Sequence, residues 1–228
     1  MSLAMRSFKL DPPKSLAQQV MLRLRQAIVE GELKFGAAIN EEMLAESFGV
    51  SRTPVREAMG HLQLQGLVTV RPQVGSFVFT PTAADISELC AFRIAIEPQA
   101  AKLAYQHDRA GTLTSMKAAM ADMEEALAAK DNISYGRADT ALHEALFAHC
   151  GNHYMAESYR LAAGRIAALR TNLSAPIDVQ TPMSFQEHAE LVMLFEQGDF
   201  VALESLLSTH INESVCTYIQ ALTALKSR

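Results

Sequence analysis

Four side chains able to ligate a metal sit where a helix would be expected to carry apolar residues. In Asp139-Thr-Ala-Leu-His143 the acid and the imidazole are one helical turn apart. With Leu142, Leu146, Phe147 and Cys150 they follow the i, i+3, i+4, i+7, i+8, i+11 spacing of a single helix face. His188 falls in line with Phe185, Leu191, Val192 and Phe195, and His210 with Leu203, Leu206, Leu207 and Ser214. An inward carboxylate is costly unless hydrogen bonds, a cation or a metal satisfy it. One oxygen and three imidazole nitrogens suit a divalent ion, zinc first, with nickel, manganese or iron(II) also compatible, and leave room for water or a ligand. The ordinary alternatives are helix capping, an Asp–His hydrogen bond or a solvated face.

Arg93 shares a face with Leu89, Ile96, Ala100 and Leu103, so it too points inward. A planar guanidinium near a metal could clamp the carboxylate of a bound acid. The competing reading is an intrahelical pair with Glu97, four residues on. Arg165 and Asn172 share a stripe with Leu161, Ala168 and Leu169 and are further candidates for lining a pocket. His61, His107, His149 and His153 fall outside any such pattern, and surface or packing roles are expected for them.

A second set of residues suggests a different chemistry. In Leu44-Ala-Glu-Ser-Phe-Gly-Val-Ser-Arg-Thr-Pro-Val-Arg-Glu-Ala-Met59, Gly49 lets the chain turn between two helices, and Ser51, Arg52, Thr53 and Arg56 cluster at the start of the second. In a helix-turn-helix that end enters the major groove. Its free N–H groups favour phosphate, and arginine can bond a guanine edge through two N–H groups. Taken one at a time, these residues read equally well as an N-cap followed by two solvated arginines.

The elements that must position both sets follow from periodicity. Leu16, Val20, Leu24 and Ile28 predict a first helix stopping at Gly31; Asn40 caps a short second helix; residues 51–65 form a third, with Pro54 tolerated in its first turn. Val68-Thr-Val70 and Phe77-Val-Phe79 predict two strands around the loop Arg71-Pro-Gln-Val-Gly-Ser76. Beyond a short linker at Phe79–Asp85, with Thr82 as an N-cap, helices are expected near 82–107, 111–130, 133–150, 153–173, 182–198 and 199–225. The expected fold is mainly α: a winged helix-turn-helix over residues 10–80 followed by an all-α helical bundle over 81–228.

Composition agrees with two modules. The 228 residues are 49% hydrophobic and 20% charged, enough to bury a core. No apolar run has membrane-spanning length, no signal-peptide pattern opens the chain, and three scattered cysteines fit a reducing cytoplasm. The net charge of −5 seems hostile to DNA, yet it is uneven. Residues 1–80 hold nine Lys/Arg against seven Asp/Glu, a net of +2, and the remainder hold eleven against eighteen, a net of −7.

Ser51-Arg-Thr-Pro-Val-Arg-Glu-Ala58, with Gly66-Leu-Val68 and Gly75-Ser-Phe-Val78 behind it, resembles the GntR family of bacterial transcription regulators over residues 15–79. The resemblance implies DNA contacts by Ser51, Arg52, Thr53 and Arg56, and wing contacts near Arg71 and Gln73. Glu42 departs from it, because some members place a DNA-contacting arginine there. Asp139-Thr-Ala-Leu-His143, Glu187-His188, Gly198-Asp199 and His210-Ile211 resemble the ligand-sensing FCD domain of FadR-type members. In the metal-binding branch of that domain, the residues matching Asp139, His143, His188 and His210 hold a divalent ion at the floor of a ligand pocket, and an Arg/Glu pair like Arg93 and Glu97 is frequent. The resemblance implies a repressor working as a homodimer on a palindromic DNA operator, modulated by a small carboxylate effector, with no membrane partner. Two rivals remain open: a metal-dependent hydrolase or lyase carrying a DNA-binding module, and a metal-free sensor of acyl thioesters.

Overall fold

A computed structural model of the chain describes residues 15–174 and 181–226. The N-terminal part is built from α1 (Leu16–Val29), β1 (Ala38–Ile39), α2 (Glu41–Phe48), α3 (Arg52–Leu64), β2 (Val68–Arg71) and β3 (Gly75–Val78). Ser15 and Gln18 close a capping box on α1, and the Asn40 side chain accepts from the Glu42 and Met43 amides to start α2. Gly49, at φ 64°, ends α2 in the left-handed conformation that turns the chain into α3. Val20, Leu24, Ile28, Val55, Leu62 and Leu67 are buried together in the core of this unit. Two features differ from the expectation. The hairpin turn is only Pro72-Gln-Val74, so Arg71 lies at the end of a strand and is not in the loop. A third strand, β1, pairs antiparallel with β3, giving the order β1-β3-β2.

The C-terminal part is α-helical throughout: α4 (Ala83–Ala129), α5 (Asn132–Ala148), α6 (His153–Leu173), α7 (Thr181–Gln197) and α8 (Phe200–Lys226). Thr82 and Asp85 form the capping box that opens α4. The expected break near residue 108 is a kink within α4, where Asp108 leaves helical geometry at φ −150°, ψ 68°. The kink is tied down. Asp108 accepts from the Gly111 amide at 2.9 Å and from His149 Nδ1 at 2.7 Å, while His149 Nε2 meets Ser115 Oγ at 2.9 Å. His149 therefore packs the kink of α4 onto the end of α5.

The two parts meet along α1 and α6, whose Ala168 is buried in the core of the N-terminal unit. Asn172 Nδ2 donates to the Val29 carbonyl at the end of α1 (2.9 Å) and to the Ala168 carbonyl (2.8 Å). Arg137 and Glu30 add an ion pair at 2.5 Å. Helix α6 thus has two apolar faces. Tyr159, Ala163, Ile166 and Leu173 face the helical core, and Ala168 faces the N-terminal unit.

Candidate functional site

Helices α5, α7 and α8 bring His143, His188 and His210 together, all buried, with one ring nitrogen from each within 4.8 Å of the others. Asp139 Oδ1 lies 3.4 Å from His143 Nε2 and 3.6 Å from His188 Nε2. Ligands placed tetrahedrally about 2.1 Å from one zinc ion stand about 3.4 Å apart. The two Asp139 distances are of that size, and the ring nitrogens lie within 4.8 Å of one another. Both ring nitrogens of His188 are buried without a hydrogen-bond partner, and so is Asp139 Oδ1. Buried polar atoms are rarely left so, which makes this cluster fit a bound cation.

Acidic side chains fix the rings from behind. Glu97 on α4 accepts from His143 Nδ1 at 2.8 Å, and Glu187 on α7 accepts from His210 Nδ1 at 2.6 Å. Each carboxylate sets the tautomer that leaves Nε2 with a lone pair, an arrangement metal-binding histidines commonly use. Burial pushes His143 down to about 3 against the opposing pull of Glu97, and pushes His188 well below the ordinary histidine range, assisted by His210 and Arg170. Both rings are therefore held neutral, the form that ligates. Burial alone would raise the Glu97 carboxyl, but Arg93 and His143 hold it well below the usual range.

Arg93 is 1% exposed, and its Nε donates to Glu97 Oε1 at 2.7 Å. The intrahelical pair is therefore the arrangement that forms. Arg93 Nη2 makes only a long contact, 3.3 Å, with His143 Nε2. A cavity of about 110 Å³ opens beside the cluster, lined by Tyr135, Asp139, Arg170, Ser184, His210 and Tyr218 among others. Arg93, Arg165 and Asn172 do not line this cavity among the described residues, and Arg165 lines a separate surface pocket with Asp85 and Glu88. Arg165 lies against Gly66 where the two units meet, and Asn172 is committed to the end of α1. The arginine lining the cavity is Arg170, which is not among the residues expected there from the sequence. The signal was present, because Arg170 continues the stripe of Tyr159, Ala163, Ile166 and Leu173.

The surface at the start of α3 is built differently. Ser51, Arg52, Thr53 and Arg56 are all exposed, and Ser51 makes no side-chain capping bond, so its hydroxyl stays available. Arg56 Nε pairs with Glu41 at 3.0 Å, and Arg52 lies 3.9 Å from Glu42, both acids coming from α2. Glu42, which departs from the family pattern, thus stands beside Arg52. Gln73 sits at the wing tip with φ 62°, and the Arg71 guanidinium lies over the Phe77 ring at 4.6 Å.

Residues 16–78 match the family described as bacterial regulatory proteins, gntR family, and residues 88–213 match the FCD domain. The chain is 30% identical over 207 residues to an uncharacterized HTH-type transcriptional regulator of Streptomyces ambofaciens, covering 85% of this chain and 81% of that one. It is 25% identical to the HTH-type transcriptional repressor RspR of Escherichia coli K12 over 208 residues, 90% of each. The match to the regulator YdhC of Bacillus subtilis, 37% identical over 123 residues, spans only 54% of this chain and 55% of that one. Among solved structures, a GntR transcriptional regulator from Rhodococcus sp. RHA1 superposes with a TM-score of 0.79 at 26% identity, covering 90% of this chain and 97% of that one. The winged reader, the helical module and these matches agree: the chain belongs to the GntR family of DNA-binding, non-enzymatic transcription regulators and carries an FCD domain in its C-terminal part.

Proposed function

We propose that this regulator is a repressor whose hold on DNA is set by a small carboxylate metabolite at a divalent-metal site in the FCD domain. The observation that carries the reading is the convergence of His143, His188, His210 and Asp139, with both His188 nitrogens buried without a hydrogen-bond partner and Asp139 Oδ1 facing only the Arg170 guanidinium besides the rings. Zinc suits this donor set best, with nickel, manganese and iron(II) compatible. When bound, the ion supplies a Lewis-acid anchor for an effector oxygen. The chain's own residues do the rest. Glu97 and Glu187 orient the rings, and Arg93 balances Glu97.

Reading falls to Ser51, Arg52, Thr53 and Arg56 in the major groove, with Arg71 and Gln73 on the wing. With a reader whose net charge is only +2, a homodimer on a palindromic operator in the cytoplasm supplies the affinity that one copy lacks. Helix α6 is the physical connection. Arg170 faces the cavity, and two residues later Asn172 holds the end of α1, so a shift of α6 caused by the effector reaches the reader. The effector must bind the two arrangements with different affinity for this to matter.

The test is fluorescence anisotropy on an operator selected from a random duplex pool with the zinc-loaded protein. A small acid is expected to change operator affinity at least several-fold in the metal-loaded protein and to have no effect after chelation. Equal responses with and without metal would overturn the reading.

A further inference from the structure

We propose that Arg170 is the residue that receives the effector's carboxylate, and that the charge balance of the site selects a small monoanionic acid. The inference rests on the metal-site reading above. Arg170 is 2% exposed and lines the cavity. Its Nη1 donates to Thr140 Oγ1 at 3.0 Å, and its Nε lies 2.7 Å from Asp139 Oδ1 without an aligned hydrogen bond. Its Nη2 is buried with no partner at all. A guanidinium carries five N–H donors in a fixed fork, and a buried one normally uses them. Here the residue that lines a polar cavity also carries a buried nitrogen with no partner. A guanidinium is always charged. A carboxylate is the partner that fork geometry fits best. Arg93, the other buried arginine, is already committed to Glu97.

The charges around the cluster limit the ligand further. Arg93 and Arg170 bring two positive buried charges, while Glu97, Asp139 and Glu187 bring three negative ones; Glu213, a further acid on the cavity wall, is exposed and screened by water, so it is left out of the buried balance. The balance is −1, and a divalent ion takes it to +1. A single carboxylate then restores neutrality, whereas a dianion overshoots in a buried setting where unbalanced charge is costly.

Calorimetric titration of the zinc-loaded protein with acetate, glycolate, both lactate enantiomers, malonate and the neutral lactamide tests this, with zinc content measured on every sample. The wild type is expected to bind at least one monocarboxylate at millimolar concentration or below, and more tightly than malonate or lactamide. Arg170→Gln is expected to keep its zinc and to weaken that acid roughly 10- to 100-fold. Unchanged acid affinity in Arg170→Gln would overturn the Arg170 assignment and leave the metal-dependent sensor standing. Zinc-loaded wild type that binds none of the acids would remove both readings, and tighter binding of malonate would remove the charge argument. Should Arg170→Gln fail to fold or to hold zinc, Arg170→Lys decides. It keeps the charge but loses the fork, and it is expected to weaken the acid about tenfold; full affinity would overturn the assignment.

Discussion

The two working regions of this molecule handle charge in opposite ways. At the reader, Arg52 and Arg56 are more than half exposed, and each leans on an acid of α2 through a contact that water screens. In the helical domain, Arg93, Glu97, His143 and His188 are at most 1% exposed, and Arg93, Glu97 and His143 depend on one another. A surface charge loosely held is free to exchange its acid for a phosphate or a base edge. A buried charge firmly held fixes the geometry of its neighbours. The reader is therefore built to be mutated without unfolding, and the interlocked set of Arg93, Glu97 and His143 is not.

That contrast is open to direct attack. The largest effect is expected from Glu97→Leu, which strands Arg93 in the core and leaves His143 without its orienting partner. Denaturant unfolding should show a loss of about 3–5 kcal/mol, and a loss under about 1 kcal/mol would mean the pair is not buried as described. Arg56→Ala should alter stability by less than about 1 kcal/mol, yet weaken operator binding by about 1–3 kcal/mol per half-site. Zinc content should be unchanged in that variant, and undiminished DNA affinity would remove α3 as the reading helix. His149→Ala, which unties the Asp108 kink, should destabilise by about 1–2 kcal/mol and leave DNA affinity alone; an unchanged melting curve would show that the kink holds without it. Smallest of all, Glu41→Gln frees Arg56 from a half-exposed pair and should strengthen DNA binding by no more than about 1 kcal/mol. Weaker binding would show that Glu41 positions the arginine for DNA and does not compete with it.

The same contrast explains how much could be read from the sequence. The reader's residues are contiguous, so Ser51 to Arg56, the turn at Gly49 and the hairpin behind them were legible as one motif. The cluster of Asp139, His143, His188 and His210 was legible for a different reason, because each residue interrupts an apolar stripe. Periodicity identifies which residues point inward, but not toward which neighbour. Helix α6 shows the limit. Its two apolar faces look alike in sequence, which does not reveal that Asn172 holds the end of α1 and Arg165 lies against Gly66 while Arg170 lines the cavity. Strand β1 escaped because two residues, Ala38 and Ile39, are too short to show alternation, and only the edge of β3 makes them a strand. The Glu97–Arg93 pair was foreseen as an alternative, and its burial beneath His143 depended on packing between α4 and α5 that spacing along one helix does not encode.

The central claim is that the buried cluster holds a divalent ion on which sensing depends. The most direct measurement is elemental analysis of the purified wild type beside His188→Ala, the ring whose two nitrogens have no other partner. The account predicts about one divalent ion per chain in the wild type and little or none in His188→Ala, with helical content preserved. An equal metal load in the two proteins, or a folded wild type that takes up no metal from excess zinc, would contradict it.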